Sequence, residues 1–366
     1  MRVLQSTKRS VTLLAAVCLV LNGCGGDSGP EVPFNPTGTS EDIQAVNSAF
    51  ASPVFASFST FSMHFDAALG AAPLVSASAQ LVNFRRATTA GELRAAAMRN
   101  AQRVAGLART TNGSFSASIA AIPAEVAGKT YEYSGGSYIA TDRPGAPANG
   151  VRFLIYAVNP LTFQPVEPLQ EVGYVQLTDE SGSSTQAARV VVVSGETTYL
   201  DYTVTATATT SGGRITVAGY VSDGTIRANI NLRSTVTESD GLTLLYTVDV
   251  PQRDVSITLT MSMTGFDQES ATINIDLGMS GPNGSVSMSG QLTETGGTLT
   301  VRVNGDQFAT IASSGASEPT ITGADGQPLT DGDVDALQGI FGVTGEAFIA
   351  FDAMVVPVGT FLAPSE

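Results

Sequence analysis

Residues 255–263 read VSITLTMSM: Val255, Ile257, Leu259, Met261 and Met263 alternate with Ser256, Thr258, Thr260 and Ser262. Successive side chains of a strand point to opposite faces, so a period of two predicts one apolar face and one hydroxylated face. The same period recurs on both sides, in TYLDYTVTATATT (198–210), GRITVAGYVSDG (213–224), TIRANINLRSTV (225–236), LTLLYTVDV (242–250), ATINIDLGMS (271–280) and GSVSMSGQLTET (284–295). Between the strings lie residues suited to tight turns: Ser211-Gly212-Gly213, Asp223-Gly224, Asp240-Gly241, Asn283-Gly284 and Gly296-Gly297. Connections this short make sequence neighbours antiparallel, so the middle of the chain reads as a long up-and-down meander.

The flanks read differently. Residues 41–109 carry a helical period, opening after Ser40 as an N-cap candidate and restarting at Pro53. Phe55, Phe58, Phe61 and Phe65 recur at three- and four-residue spacing and form one aromatic stripe, which reads as core. Strands are expected at 130–134, 151–158 and 172–178, and GVRFLIYAV (150–158) reads as covered on both faces, since it is apolar at both phases after Arg152. Towards the end, 331–341 reads as a short helix stopped by Gly342, followed by a last strand over 347–356. The expected fold class is therefore mainly β: a large antiparallel meander, as a curved sheet or half-barrel, with N-terminal helices and one short helix before the last strand. Residues 41–366 form its single β-rich domain.

The first 24 residues, MRVLQSTKRSVTLLAAVCLVLNGC, place Arg2, Lys8 and Arg9 before an apolar run from 11 to 21. This is the layout of an export signal, too short for a permanent spanning helix. Its end, Leu21-Asn22-Gly23-Cys24, resembles the lipobox of bacterial lipoproteins. The resemblance implies that 1–23 is a signal peptide removed before Cys24 and that Cys24 carries the acyl groups. It also implies an exported chain anchored to a membrane through lipid, with Gly25 after the cysteine resembling outer-membrane sorting. An ordinary secretory signal with an incidental cysteine is the alternative. Two or three acyl chains anchor a protein without any spanning helix, at about 0.8 kcal/mol per buried methylene. Residues 24–40, rich in Gly, Pro and Ser, read as a flexible tether.

Composition excludes several classes of function. With 18 Lys plus Arg against 33 Asp plus Glu, the net charge is -15, which opposes binding to a phosphate backbone, so no nucleic-acid partner is expected. Cys18 leaves with the signal and Cys24 carries lipid, which leaves no thiol for a disulfide, a nucleophile or a metal. His64 is the only histidine, flanked by Met63 and Phe65 in the aromatic stripe, and reads as structural rather than as part of a Ser-His-Asp triad. No Gly-x-Ser-x-Gly, His-Glu-x-x-His, Ser-x-x-Lys or phosphate-loop motif occurs, so no enzyme and no cofactor are expected. Asp331, Asp333 and Asp335 have the alternating acids that open a calcium loop, but Ala336 and Gly342 fall where the turn glycine and the bidentate glutamate belong. A helix start with acids near its positive end explains the same letters. Arg85, Arg86, Arg94, Arg99, Arg103 and Arg109 form a basic segment that reads either as a solvated face or as a contact with anionic headgroups.

An apolar face repeated over seven or more strands must be covered by helices, a second sheet, a ligand or lipid. With the Phe-rich helix as a lid, the element order resembles that of periplasmic lipoprotein carriers and mycobacterial lipid-binding lipoproteins. That resemblance implies a lipid or other hydrophobic ligand on inward aliphatic positions such as Ile257, Leu259, Met261, Ile273, Ile275 and Met288, which would serve equally as ordinary core. Two alternatives stand beside it. One is a structural or adhesive envelope module without a small ligand. The other is a transmembrane barrel, which the lack of aromatic girdles disfavours.

Overall fold

The computed structural model describes residues 35–68 and 120–362 apart from 160, 161, 163, 184, 210, 211, 238–240, 266–271, 294 and 315–319, within a compact unit spanning Val32–Glu366. Side chains 62–68, 208, 209, 313, 338, 341–352 and 360–362 are outside the description as well. Cys24, the 69–119 segment with its arginines, and the side chains of His64 and Phe65 therefore lie outside the described residues.

Fifteen strands build one open sheet: β1 (Thr130–Ser134), β2 (Ser137–Thr141), β3 (Gly150–Tyr156), β4 (Glu171–Asp179), β5 (Gln186–Ser194), β6 (Thr197–Thr209), β7 (Gly212–Ser222), β8 (Arg227–Thr237), β9 (Gly241–Val250), β10 (Val255–Thr264), β11 (Thr272–Gly281), β12 (Gly284–Thr293), β13 (Gly296–Val303), β14 (Asp306–Ser313) and β15 (Thr320–Gly323). From β3 to β15 each strand pairs with its sequence neighbour in antiparallel register, as short connections dictate. The order breaks at the other end, where β1 lies beside β3 and β2 forms the edge. Gly135 and Gly136 both take positive φ and close the β1–β2 hairpin, after which the chain returns to the free side of β1 and pairs in parallel over only Thr130↔Arg152 and Tyr131↔Phe153. This parallel pair is the exception among the described strands to an otherwise antiparallel meander, the fold class that the sequence predicts.

Burial follows the letters. Along β10, Val255, Ile257, Leu259, Met261 and Met263 are buried, while Thr258, Thr260 and Thr264 are exposed. On β3, Val151, Phe153, Leu154 and Ile155 are all buried, so this strand is covered on both faces.

The amino-terminal helices are α1 (Pro36–Phe50) and α2 (Pro53–Ala68). The first begins earlier than expected: Asn35, not Ser40, is the cap, its side chain accepting the Gly38 N–H at 3.0 Å, with Pro36 pre-set for the first turn. The last five residues of the expected tether, 36–40, are therefore helical. Ser52 caps α2 by accepting the Phe55 N–H at 3.0 Å.

The carboxyl-terminal expectation is corrected. In place of a short helix and a last strand over 347–356, one 32-residue helix, α3, runs Asp331–Leu362 through Gly342 and with Pro357 inside it. A continuous apolar run has no period by which to tell a strand from a helix buried all round, and Ala353, Met354, Val355 and Val358 are all buried. A glycine costs an exposed helix about 1 kcal/mol, which tertiary burial offsets. Thr330 starts α3 in a reciprocal cap, its hydroxyl donating to the Asp333 carboxylate at 2.6 Å and accepting the Asp333 N–H at 3.3 Å.

The three described helices pack on the apolar face of the sheet. α1 and α2 both contact α3; α1 touches β7, β8 and β9, α2 touches β2, β3 and β4, and α3 touches β6 and β7. Phe55, Phe58 and Phe61 of the expected stripe are buried core, Phe58 against Tyr202 and Phe61 against Tyr138 and Phe153. The Tyr202 hydroxyl donates to the Met354 carbonyl at 3.0 Å and so fixes β6 to α3, while burial raises its pKa and keeps it protonated as a donor. Among the described residues no helix is long and apolar enough to cross a membrane.

Candidate functional site

The six expected ligand positions come together. Met261 pairs with Ile275 and Leu259 with Leu277, which in turn pairs with Met288; Ile257 and Ile273 flank these pairs on their own strands. All six lie on the apolar phase of β10, β11 and β12 and are only 1–2% exposed. They form an aliphatic patch on three adjacent strands, beyond the strands where the described helices make their main sheet contacts. At 1–2% exposure in a chain without ligand these side chains are already covered, as ordinary core is, and they offer dispersion and water exclusion only.

Polar anchors border the patch. At the β11–β12 turn, Asn283 donates to the Asp42 carboxylate at 2.9 Å and accepts from Asn35 Nδ2 at 3.1 Å, so the first turns of α1 are held at the end of these strands. A Cβ on Gly38 would collide with the Asn283 side chain, which makes glycine the residue that permits this approach. Within the apolar face, one transverse rank runs Ile215, Ser234, Leu244, Met261, Ile275, Gly290 across β7 to β12. Ser234 is fully buried, and its hydroxyl has no hydrogen-bond partner among the described residues.

A second polar feature lies where the sheet divides. Because β1 and β3 pair over two residues only, the following part of β3 is served by side chains: the Tyr138 hydroxyl donates to the Leu154 carbonyl at 2.9 Å. Tyr133, Tyr138 and Tyr156, with Ser57, Thr60, Phe61, Val158 and Pro165, line a cavity of about 10 Å³, the room of a single water. Burial raises the pKa of all three tyrosines; Glu167 adds to the rise at Tyr133, and Glu132 and Glu171 add to it at Tyr156. Outside it, Arg143 bridges Glu171 and Glu132 at 2.9 and 3.6 Å, an exposed pair that contributes little to stability.

On the hydroxylated face, Gln291, Thr293, Thr295, Thr298 and Ala312 border an open depression of about 530 Å³ without a charged group. Asp331 and Asp333 lie in the first turn of α3, where Asp333 serves the cap, and Asp335 is exposed on the next turn. Among the described residues no cluster of metal-ligating side chains forms. Sequence reasoning passed over Ser234 although a signal was present: in RANINLRSTV the apolar phase reads Ala228, Ile230, Leu232, Ser234, Val236. The tyrosine crevice had no such signal, because it depends on the parallel pairing of β1 and β3. Comparison with known protein families, with curated proteins and with solved structures finds no match.

Proposed function

We propose that this chain is a membrane-anchored envelope lipoprotein that binds a lipid-like hydrophobe on the apolar face of its sheet. The observation that carries the reading is the aliphatic patch of β10–β12, which extends beyond the strands where the described helices concentrate their contacts. A chain at net charge -15 with a single apolar sheet face this long has little other chemistry to offer. A second reading, a structural or adhesive module without a ligand, is favoured by the dense packing of α1, α2 and α3 over the rest of that face. The proposed location is the periplasmic face or surface of the outer membrane, with Cys24 as the acylated residue.

One experiment addresses both anchor and ligand. Cys24→Ser is expected to abolish incorporation of labelled palmitate into the chain, and acylation that persists in this variant contradicts the anchor. Solvent extraction of the same variant, exported behind a cleavable secretory signal and purified without detergent, is expected to yield a hydrophobe in stoichiometric amount.

A further inference from the structure

We infer that β2 is a docking edge for a second copy of this chain: two β2 strands pair antiparallel about a two-fold axis at Ile139 and continue the sheet from one protomer into its partner. The inference stands apart from the ligand reading. An open sheet has two edges, and the chain itself closes one of them. At β15 the Ala324 N–H donates to the Phe308 carbonyl at 2.9 Å, so the residue before it, Gly323, turns its polar groups away from β14. Both are taken by the turn that follows: the Gly323 N–H donates to the Gln327 carbonyl at 2.8 Å, and its carbonyl accepts the Gly326 N–H at 2.9 Å.

The β2 edge has no such closure. Its hairpin with β1 turns through Gly135-Gly136, so Ser134–Ser137, Glu132–Ile139 and Thr130–Thr141 exchange the interstrand bonds. The odd-numbered residues next to them on β1 serve β3 instead, as the Lys129 carbonyl does in accepting the Arg152 N–H at 3.1 Å. By the same alternation Tyr138 and Ala140 turn their N–H and C=O to the free side of β2, where no backbone partner meets them among the described residues. Free edges are usually blunted by charge or proline, and SYIAT (137–141) contains neither. Ile139, 49% exposed, is the one exposed large apolar side chain among the described residues. Pairing about Ile139 sets Tyr138 opposite Ala140 of the partner subunit, and the reverse, so every outward group of β2 finds a complement. The two Ile139 side chains then meet at the axis as a non-bonded pair, with Cα atoms about 4.5 Å apart. Glu132, paired laterally with Ile139, stands three interstrand steps or roughly 14 Å from its copy, beyond the screening length at physiological salt. The net charge of -15 opposes approach of two copies at longer range, so salt favours the pair.

The test places single cysteines in the chain carrying Cys24→Ser, exported behind a cleavable cysteine-free signal, and follows disulfide-linked dimer under mild oxidation. Ile139→Cys is expected to cross-link, because Cα atoms about 4.5 Å apart lie within disulfide range. Thr141→Cys is expected to remain monomeric: it faces Ser137 of the partner subunit, and its own copy lies four residues along the pair, about 14 Å away. Adding Ala140→Pro to Ile139→Cys removes one outward N–H from each copy without touching the bonds to β1, and is expected to lower the dimer yield about tenfold. The Ile139→Cys yield is expected to rise from low to physiological salt. Equal cross-linking of the two cysteines, no cross-linking of Ile139→Cys at millimolar protein, or a yield that falls with salt overturns the inference. The contrast between positions 139 and 141 decides it even where the proline variant does not fold.

Discussion

Leu259→Asp is expected to leave no folded protein, whereas Thr258→Asp, one residue earlier on the same strand, is expected to accumulate and melt within about 1 kcal/mol of the parent chain. Leu259 is 1% exposed and sits between Tyr246 of β9 and Leu277 of β11, both buried. A carboxylate there has no cation in its rank, and holding it charged or protonating it, added to the lost leucine packing, costs several kcal/mol, a large part of the stability of an ordinary domain. Thr258 faces out beside Thr247 and Gly278, where water solvates a carboxylate fully. Soluble yield and thermal melts of the two variants, side by side, check the phase of the strand. Equal tolerance of both would mean that the apolar face is not covered.

Phe58→Ala is expected to destabilise the fold by about 3–5 kcal/mol, read from the denaturant midpoint. The ring is fully buried and meets Phe55, Phe61 and Tyr202, so its removal leaves a cavity bounded by α2 and β6. Neighbouring aromatic rings have few rotamers by which to fill such a space, which keeps the cavity term large. A loss under about 1 kcal/mol would show that α2 packs on the sheet only loosely and that the helix cover is not integral to the domain.

These two predictions rest on features legible in the sequence to different degrees. The phase of β10 and of its neighbours from β6 to β12 follows from alternation alone, since one-sided burial leaves a period of two. The aromatic stripe of α2 was legible as core, yet Tyr202 and Met354 as its partners were not, because contacts between distant elements leave no local pattern. β5 was missed since its valines 190–193 fill both phases, and the short strands β2 and β15 offer too few residues for a period. The strand expected over 347–356 failed for a related reason: a helix apolar on every side reads like a buried strand. Of the candidate site, the six aliphatic positions were legible as one face. That two of them, Met261 and Ile275, share a rank with Ser234 and Gly290 needed the register, which the turns alone do not fix across five strands.

Among the described residues, fifteen strands share one apolar face, and the three described helices make their main sheet contacts from β2 to β4 and from β6 to β9. The hydrophobe proposed for β10–β12 gives the remainder a purpose beyond core packing.

Native mass spectrometry of the Cys24→Ser chain, exported behind a cleavable signal and purified without detergent, tests this most directly. The account predicts a mass exceeding that of the polypeptide by one hydrophobic molecule, lost on delipidation and regained on incubation with palmitate or envelope lipid. A mass equal to the polypeptide alone, both as purified and after that incubation, would contradict it and identify the chain as a structural module.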